Sequence, residues 1–169
     1  METIESSENR TQTITPDTPT PAVATPTFYP FIAYLQAQSP VYLINFLYPE
    51  LGCQWAGIAG QIFDMAGIPV NGLIIEVSGT LGGEEYLGLG LTGLARAIGP
   101  GGFEIKLADH PFNSDHALRI QVYDQNGTQL SESFPLTTYN DCQKNLILIN
   151  YILLDQSLKE KIFLPVIGR

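Results

Sequence analysis

Both histidines of the chain fall in one short stretch, Asp109-His110-Pro111-Phe112-Asn113-Ser114-Asp115-His116, together with two aspartates. Imidazole with carboxylate is a zinc ligand set, and carboxylate with amide oxygen suits calcium, so metal chemistry would be sought here first. Asp, Asn, Ser and Pro are equally the residues of an ordinary turn between two strands, and that reading suffices. The adjacent acids Glu84-Glu85 read as a solvated hairpin tip rather than a catalytic acid and base. Gly88-Leu89-Gly90-Leu91-Thr92-Gly93 spells a dinucleotide fingerprint, but Gly99-Pro100 arrives before a helix can form to aim its N-terminus at a pyrophosphate. Gly99 to Gly102 lacks the Lys-Ser/Thr of a phosphate loop. No Gly-x-Ser-x-Gly elbow occurs, and no Cys and His are placed to activate one another. Catalytic, cofactor-binding and metal residues are therefore assigned to none, and the chain is read as a non-enzyme.

The remaining reactive pair is Cys53 and Cys142, the only cysteines, which flank nearly the whole strand-rich region. Two readings stay open. One is a disulfide that ties the beginning of that region to its end, favoured because both positions sit beside polar or glycine neighbours (Gly52, Gln54, Asp141, Gln143) just outside apolar runs. The other is a pair of buried free thiols, the common state in reducing compartments.

At 169 residues the chain suits one ordinary domain with tails. Its net charge is −9, and its eight Lys and Arg are scattered singly from Arg10 to Arg169 without a basic stripe, which argues against nucleic acid and anionic membrane surfaces as partners. The longest apolar run, Leu146 to Leu154, is broken by Asn150 and is far shorter than the roughly 20 residues of a membrane span. Residues 1–27 repeat Thr-Pro at 15–16, 18–19, 20–21 and 25–26 and read as a disordered linker. No cationic start with an apolar core opens the sequence, so no signal peptide is visible. That sits against an extracellular disulfide unless the true start lies upstream or the export signal is unrecognisable.

Residues 28–52 are expected to form an aromatic strap on the domain, since Phe28, Tyr29, Phe31, Tyr34, Tyr42, Phe46 and Tyr48 are concentrated there. Tyr42, Ile44 and Phe46 alternate as one strand face and are expected to be buried against the last strand. Residues 53–155 carry the domain proper. Strands are expected at Trp55–Phe63, Leu73–Val77, Tyr86–Leu91, Phe103–Leu107, Leu118–Val122, Leu130–Thr138 and Asn145–Leu154, separated by turn signals such as Asp124-Gln125-Asn126-Gly127. Pro135 places its strand at a sheet edge. The last strand is apolar on both faces and needs cover on both. Residues 156–169 read as a C-terminal tail. The whole is an all-β, antiparallel β-sandwich of about seven strands, of transthyretin-like or Ig-like kind.

Gly60-x-x-x-Asp64-x-x-Gly67-x-Pro69-Val70-x-Gly72-x-Ile74 resembles the opening of carboxypeptidase regulatory-like domains, which are transthyretin-like sandwiches without catalysis of their own. A closer resemblance covers most of residues 40–154. Cys53-Gln54-Trp55-Ala56-Gly57 through Asp64, with Thr138-Tyr139-Asn140-Asp141-Cys142 through Asn150, is similar to surface-protein domains of Chloroflexi to which no activity is attached. This resemblance implies secretion and a structural Cys53–Cys142 disulfide. The expectation is a non-enzymatic, extracellular or cell-surface interaction module whose partner is an unknown protein or glycan. The alternative is a carbohydrate-binding module using aromatics of the strap or Trp55.

Overall fold

The computed structural model describes residues 31–155; the expected linker over 1–27 and tail over 156–169 lie outside them. Ten strands form two sheets packed face to face, and no α-helix occurs among the described residues. The first layer is built around β3 (Ala56–Asp64), with β6 (Gly102–Ala108) antiparallel on one side. On the other side lie β9 (Leu146–Leu148) and β10 (Tyr151–Asp155), both parallel to β3 and at the same offset, Gly57 opposite Leu146 in the first ladder and Asp64 opposite Leu153 in the second. Outside these, β1 (Phe31–Leu35) pairs antiparallel with β10, and β2 (Val41–Leu43) with β9. The second layer is an antiparallel sheet in the order β5 (Glu84–Leu91), β4 (Ile74–Leu81), β7 (Ser114–Tyr123), β8 (Phe134–Thr138).

The sandwich follows from alternation. Ile58, Ile62, Phe103, Ile105, Ile147 and Ile149 face Ile75, Val77, Leu118, Ile120, Val122 and Leu136 across one dry core. Between β4 and β5, Gly82-Gly83 supplies the two positive φ angles of a tight hairpin, with Glu84 and Glu85 exposed at its tip. Gly60 is required for a different reason. A Cβ there would lie 1.6 Å from the carbonyl oxygen of Ile149, so only glycine lets the parallel neighbour approach. Pro135 does sit on an edge strand, β8.

Ten strands appear where about seven are expected, and the first layer is mixed rather than antiparallel. Both differences come from the two ends of the chain. The strap adds β1 and β2 as paired strands, and the last apolar run is split at Ile149-Asn150. Asn150 makes the break: its N–H donates to Ser39 Oγ at 3.0 Å, its carbonyl accepts from Gln36 N–H at 2.9 Å, and its Oδ1 accepts from Gln61 N–H at 2.9 Å. It thereby stitches the bend between β1 and β2 to β3.

The last run is covered on both faces, though not by the residues expected. Its second face belongs to a small cluster of Trp55, Ala59 and Leu146, against which Leu47, Leu51 and Ile98 pack. Tyr42 is half-buried, while Ile44 and Phe46 are 53% and 50% exposed. The strap docks edge-on, by adding a strand to β9, and the alternation that would bury Ile44 and Phe46 stops at Leu43 because the chain leaves the ladder there.

Candidate functional site

The segment leaving β2 is shaped by one side chain. Asn45 is buried, and its Oδ1 accepts from Leu47 N–H (3.0 Å) and Tyr48 N–H (3.1 Å) while its Nδ2 donates to Tyr48 O (3.1 Å). This local bonding replaces a strand ladder with a tight loop. The loop is tied to the domain by Asn145, 3% exposed, whose Oδ1 accepts from Asn45 N–H at 2.7 Å and whose Nδ2 donates to Gly52 O (2.8 Å) and Trp55 O (3.0 Å). Every polar atom of that carboxamide is engaged, so burying it costs little and fixes the geometry.

A 3-10 turn, Pro49–Leu51, carries the chain on to Cys53, which is bonded to Cys142 with 5.1 Å between Cα atoms. Their separation of 89 residues is also the offset of the parallel ladder that begins at Gly57 and Leu146. The disulfide is thus a covalent rung just ahead of the first hydrogen-bonded one. Of the two open readings of the cysteines, the bonded one holds.

Around this frame several aromatics gather. The Tyr42 and Tyr139 rings meet edge to face, 5.0 Å apart and inclined at 79°, with Lys144 Nζ 4.7 Å above Tyr139. Tyr42 donates its hydroxyl to Thr137 O at 3.1 Å, and burial, then Tyr139, push its phenol pKa up. Tyr48 leans on Trp55 at 5.9 Å and 49° and donates to Glu104 Oε2 at 3.1 Å; that bond, more than burial, raises its pKa. Trp55 itself is 2% exposed, so its indole face is withdrawn from solvent. Neither ring pair is coplanar. What the loop does present outward is apolar: Ile44 and Phe46, with Val41 beside them on β2.

The histidine stretch holds a different arrangement. His116 Nδ1 lies 3.2 Å from Asp115 Oδ1 on a β-bulge at the start of β7, both exposed, and His116 has a positive φ of 54°. Asp109 pairs with Lys106, whose ammonium holds its carboxyl below the ordinary value. Asn113 Oδ1 accepts from Asn140 N–H at 2.7 Å, a loop-to-loop brace. Among the described residues no group of three or more His, Cys, Asp or Glu converges on one point.

The glycines of β5 act in packing. Gly88 and Gly90 lie against the Ile105 side chain, and Tyr86 closes over β6 by donating to Lys106 O at 2.7 Å. The opposite face of β5 exposes Leu87 and Leu89. No helix among the described residues is long and apolar enough to cross a membrane. No family model matches the chain, and no curated protein or solved structure matches it.

Proposed function

We propose that this chain is a non-enzymatic, secreted or surface-displayed structural and interaction module of the transthyretin-like, carboxypeptidase regulatory-like kind, which grips a protein partner through the loop after β2. The observation that carries the proposal is the exposure of Ile44 and Phe46 on a loop that two buried asparagines hold still. Apolar side chains held rigidly in solvent lose little freedom on binding, which is what a recognition loop on a β-scaffold needs. An oxidising location is supported by the Cys53–Cys142 bond. A protein partner is favoured over a glycan because Trp55 is covered and the Tyr42–Tyr139 and Tyr48–Trp55 rings are inclined to one another, so no pair forms a flat exposed platform.

The test is the double substitution Ile44→Ser with Phe46→Ser, followed by binding of the labelled protein to the surface of the cells that produce it. Stability should change by no more than about 0.5 kcal/mol, as for exposed sites generally, while binding is lost. Undiminished binding would remove the loop from the function. A glycan-array signal abolished by Tyr139→Ala would move the reading to carbohydrate recognition.

A further inference from the structure

The outer edge of a sheet invites pairing, and most edges of this sandwich are closed. β1 donates Ala33 N–H to Leu130 O at 2.7 Å, beside a cavity of about 600 Å³ that lies between β1, β10 and the segment entering β8 and is lined in part by Ala33, Leu35, Leu130 and Tyr151. β2 is only three residues long, and β8 carries Pro135 and has Thr137 O taken by the Tyr42 hydroxyl. β6 turns its outer edge under β5, where Lys106 O accepts from Tyr86. β5 is the exception. It is eight residues long, holds no proline and no basic residue, and has β4 as its only strand partner among the described residues.

The direction of its free backbone groups follows from the ladder. Register sets Ile74 opposite Leu91, hence Leu73 opposite Thr92, and Thr92 N–H donates to Leu73 O at 2.9 Å. Alternate residues of an antiparallel strand bond to the same side, so Gly90, Gly88 and Tyr86 bond to β4 while Leu89, Leu87 and Glu85 aim N–H and C=O away from it. The same leucines expose their side chains on the outer face of the sheet. Gly88 and Gly90 face inward, where a Cβ would lie 2.7 and 3.1 Å from the Ile105 side chain, so β6 is beneath β5 rather than beside it.

The strand is complementary to its own reverse. Glu84 and Glu85 stand at its start, and from Tyr86 to Phe103 the only charged residue is Arg96, just past its end. Parallel pairing of two copies would set the acids against one another, whereas antiparallel pairing parts them and brings each acidic end toward the other copy's Arg96. About Gly88, the antiparallel register sets Leu87 opposite Leu89 of a second copy. Both residues then turn their free N–H and C=O toward each other.

We propose that β5 pairs antiparallel with β5 of a second copy of this chain about a two-fold axis at Gly88, so that two four-stranded sheets become one continuous sheet. Leu87 exchanges two hydrogen bonds with Leu89 of the other copy, and the symmetric pair exchanges two more. The leucine side chains of both copies meet on one face. This surface is independent of the loop after β2: β5 and β8 are opposite edges of the second sheet, and β2 reaches β8 through Tyr42.

The test is sedimentation of the full chain over a range of concentrations. A monomer–dimer equilibrium is expected with Kd of about 1–100 μM, as for an interface at the small end of the specific class. Leu87→Pro removes an outward N–H and leaves the β4 ladder whole, and should raise Kd about a hundredfold or more. Leu87→Lys with Leu89→Lys gathers ammonium groups of both copies at the axis and should do the same. Should the proline unfold the strand, the lysine pair, which alters only exposed side chains, still decides. Register is read by cross-linking under oxidising conditions: Leu87→Cys chains mixed with Leu89→Cys chains should give a disulfide-linked dimer, and neither alone should. A chain that stays monomeric at about 1 mM, as when its own residues 156–169 or a strand of a different protein takes this edge, overturns the proposal. So does a dimer that the folded variants leave intact, absence of the mixed cross-link, or cross-linking of Leu87→Cys chains with themselves.

Discussion

Asn145 and Tyr151 stand six residues apart on one run of chain, both almost wholly buried, yet they are opposites. Asn145, just ahead of β9, uses its amide and carbonyl in three hydrogen bonds that join the loop after β2, Gly52 and Trp55. Tyr151, at the start of β10, brings a hydroxyl into the core and leaves it with no partner among the described residues. The first is a polar group that builds a shape. The second is a polar group that adds no bond to that shape among the described residues. The comparison extends to the two ends of the first sheet: one is fully bonded inside and apolar outside, the other keeps a buried hydroxyl with no partner among the described residues.

The largest effect should come from the disulfide. Replacing Cys53 and Cys142 by serine frees a loop of about 90 residues in the unfolded chain and should lower unfolding free energy by about 4–5 kcal/mol in a denaturant titration, on the chain-entropy account. A loss below about 1 kcal/mol would mean that the asparagines alone hold this end. Next come the two buried polar groups themselves. Asn145→Ala should cost about 3 kcal/mol, because it leaves Asn45 N–H, Gly52 O and Trp55 O unmet, whereas Tyr151→Phe should be neutral or up to about 1 kcal/mol stabilising. Equal losses for the two in the same titration would break the contrast.

The smallest effect separates the ends by pH. Asp124 Oδ1 accepts from Asn126 N–H (2.8 Å) and Thr128 N–H (2.7 Å), capping the turn that delivers Gln129 and Leu130 to the cavity, and the Thr128 bond foremost holds its carboxyl below the ordinary value. A depressed folded pKa contributes stability that is complete above the unfolded value, near pH 4, and is lost as pH falls through the folded value. Amide protection at residues 129–134, taken relative to the intrinsic exchange rate at each pH, should therefore fall below about pH 4 more than at residues 45–48, whose asparagine clamp does not titrate. Asp124→Asn should flatten that dependence; an unchanged profile would remove Asp124 as its source.

The body of the sandwich was legible because alternation and turn chemistry are local. Asp64-Met65-Ala66-Gly67 and Asp124-Gln125-Asn126-Gly127 illustrate it: each aspartate accepts from the residues two and four ahead, each glycine has φ near 80°, and each glycine N–H donates to its aspartate's carbonyl. The cysteine pair was legible from its place outside the apolar runs. The asparagine clamp was not, since Asn45 and Asn145 are 100 residues apart and each alone resembles a turn or strand-end residue. Cover for the second face of the last strand was expected from Tyr42, Ile44 and Phe46 by an alternation that Asn45 ends; Leu47 and Leu51, past the break, pack there instead. The cavity had no local signal at all, being assembled from β1, β10 and the approach to β8.

The antiparallel pairing of β1 with β10 sets Phe31 opposite Asp155, so the chain enters and leaves the domain side by side. A pull applied through both tails acts at one end of that ladder and loads its rungs one at a time, from Phe31–Asp155 inward to Leu35–Tyr151, instead of shearing them together. Opening under tension would thus begin gently and widen the very wall that Ala33, Leu35 and Tyr151 form. It would stop hard at Cys53–Cys142, beyond which the chain between the two cysteines, 89 positions apart, carries no tension. Mechanically the domain is a zipper with a covalent stop, and its first teeth border its cavity.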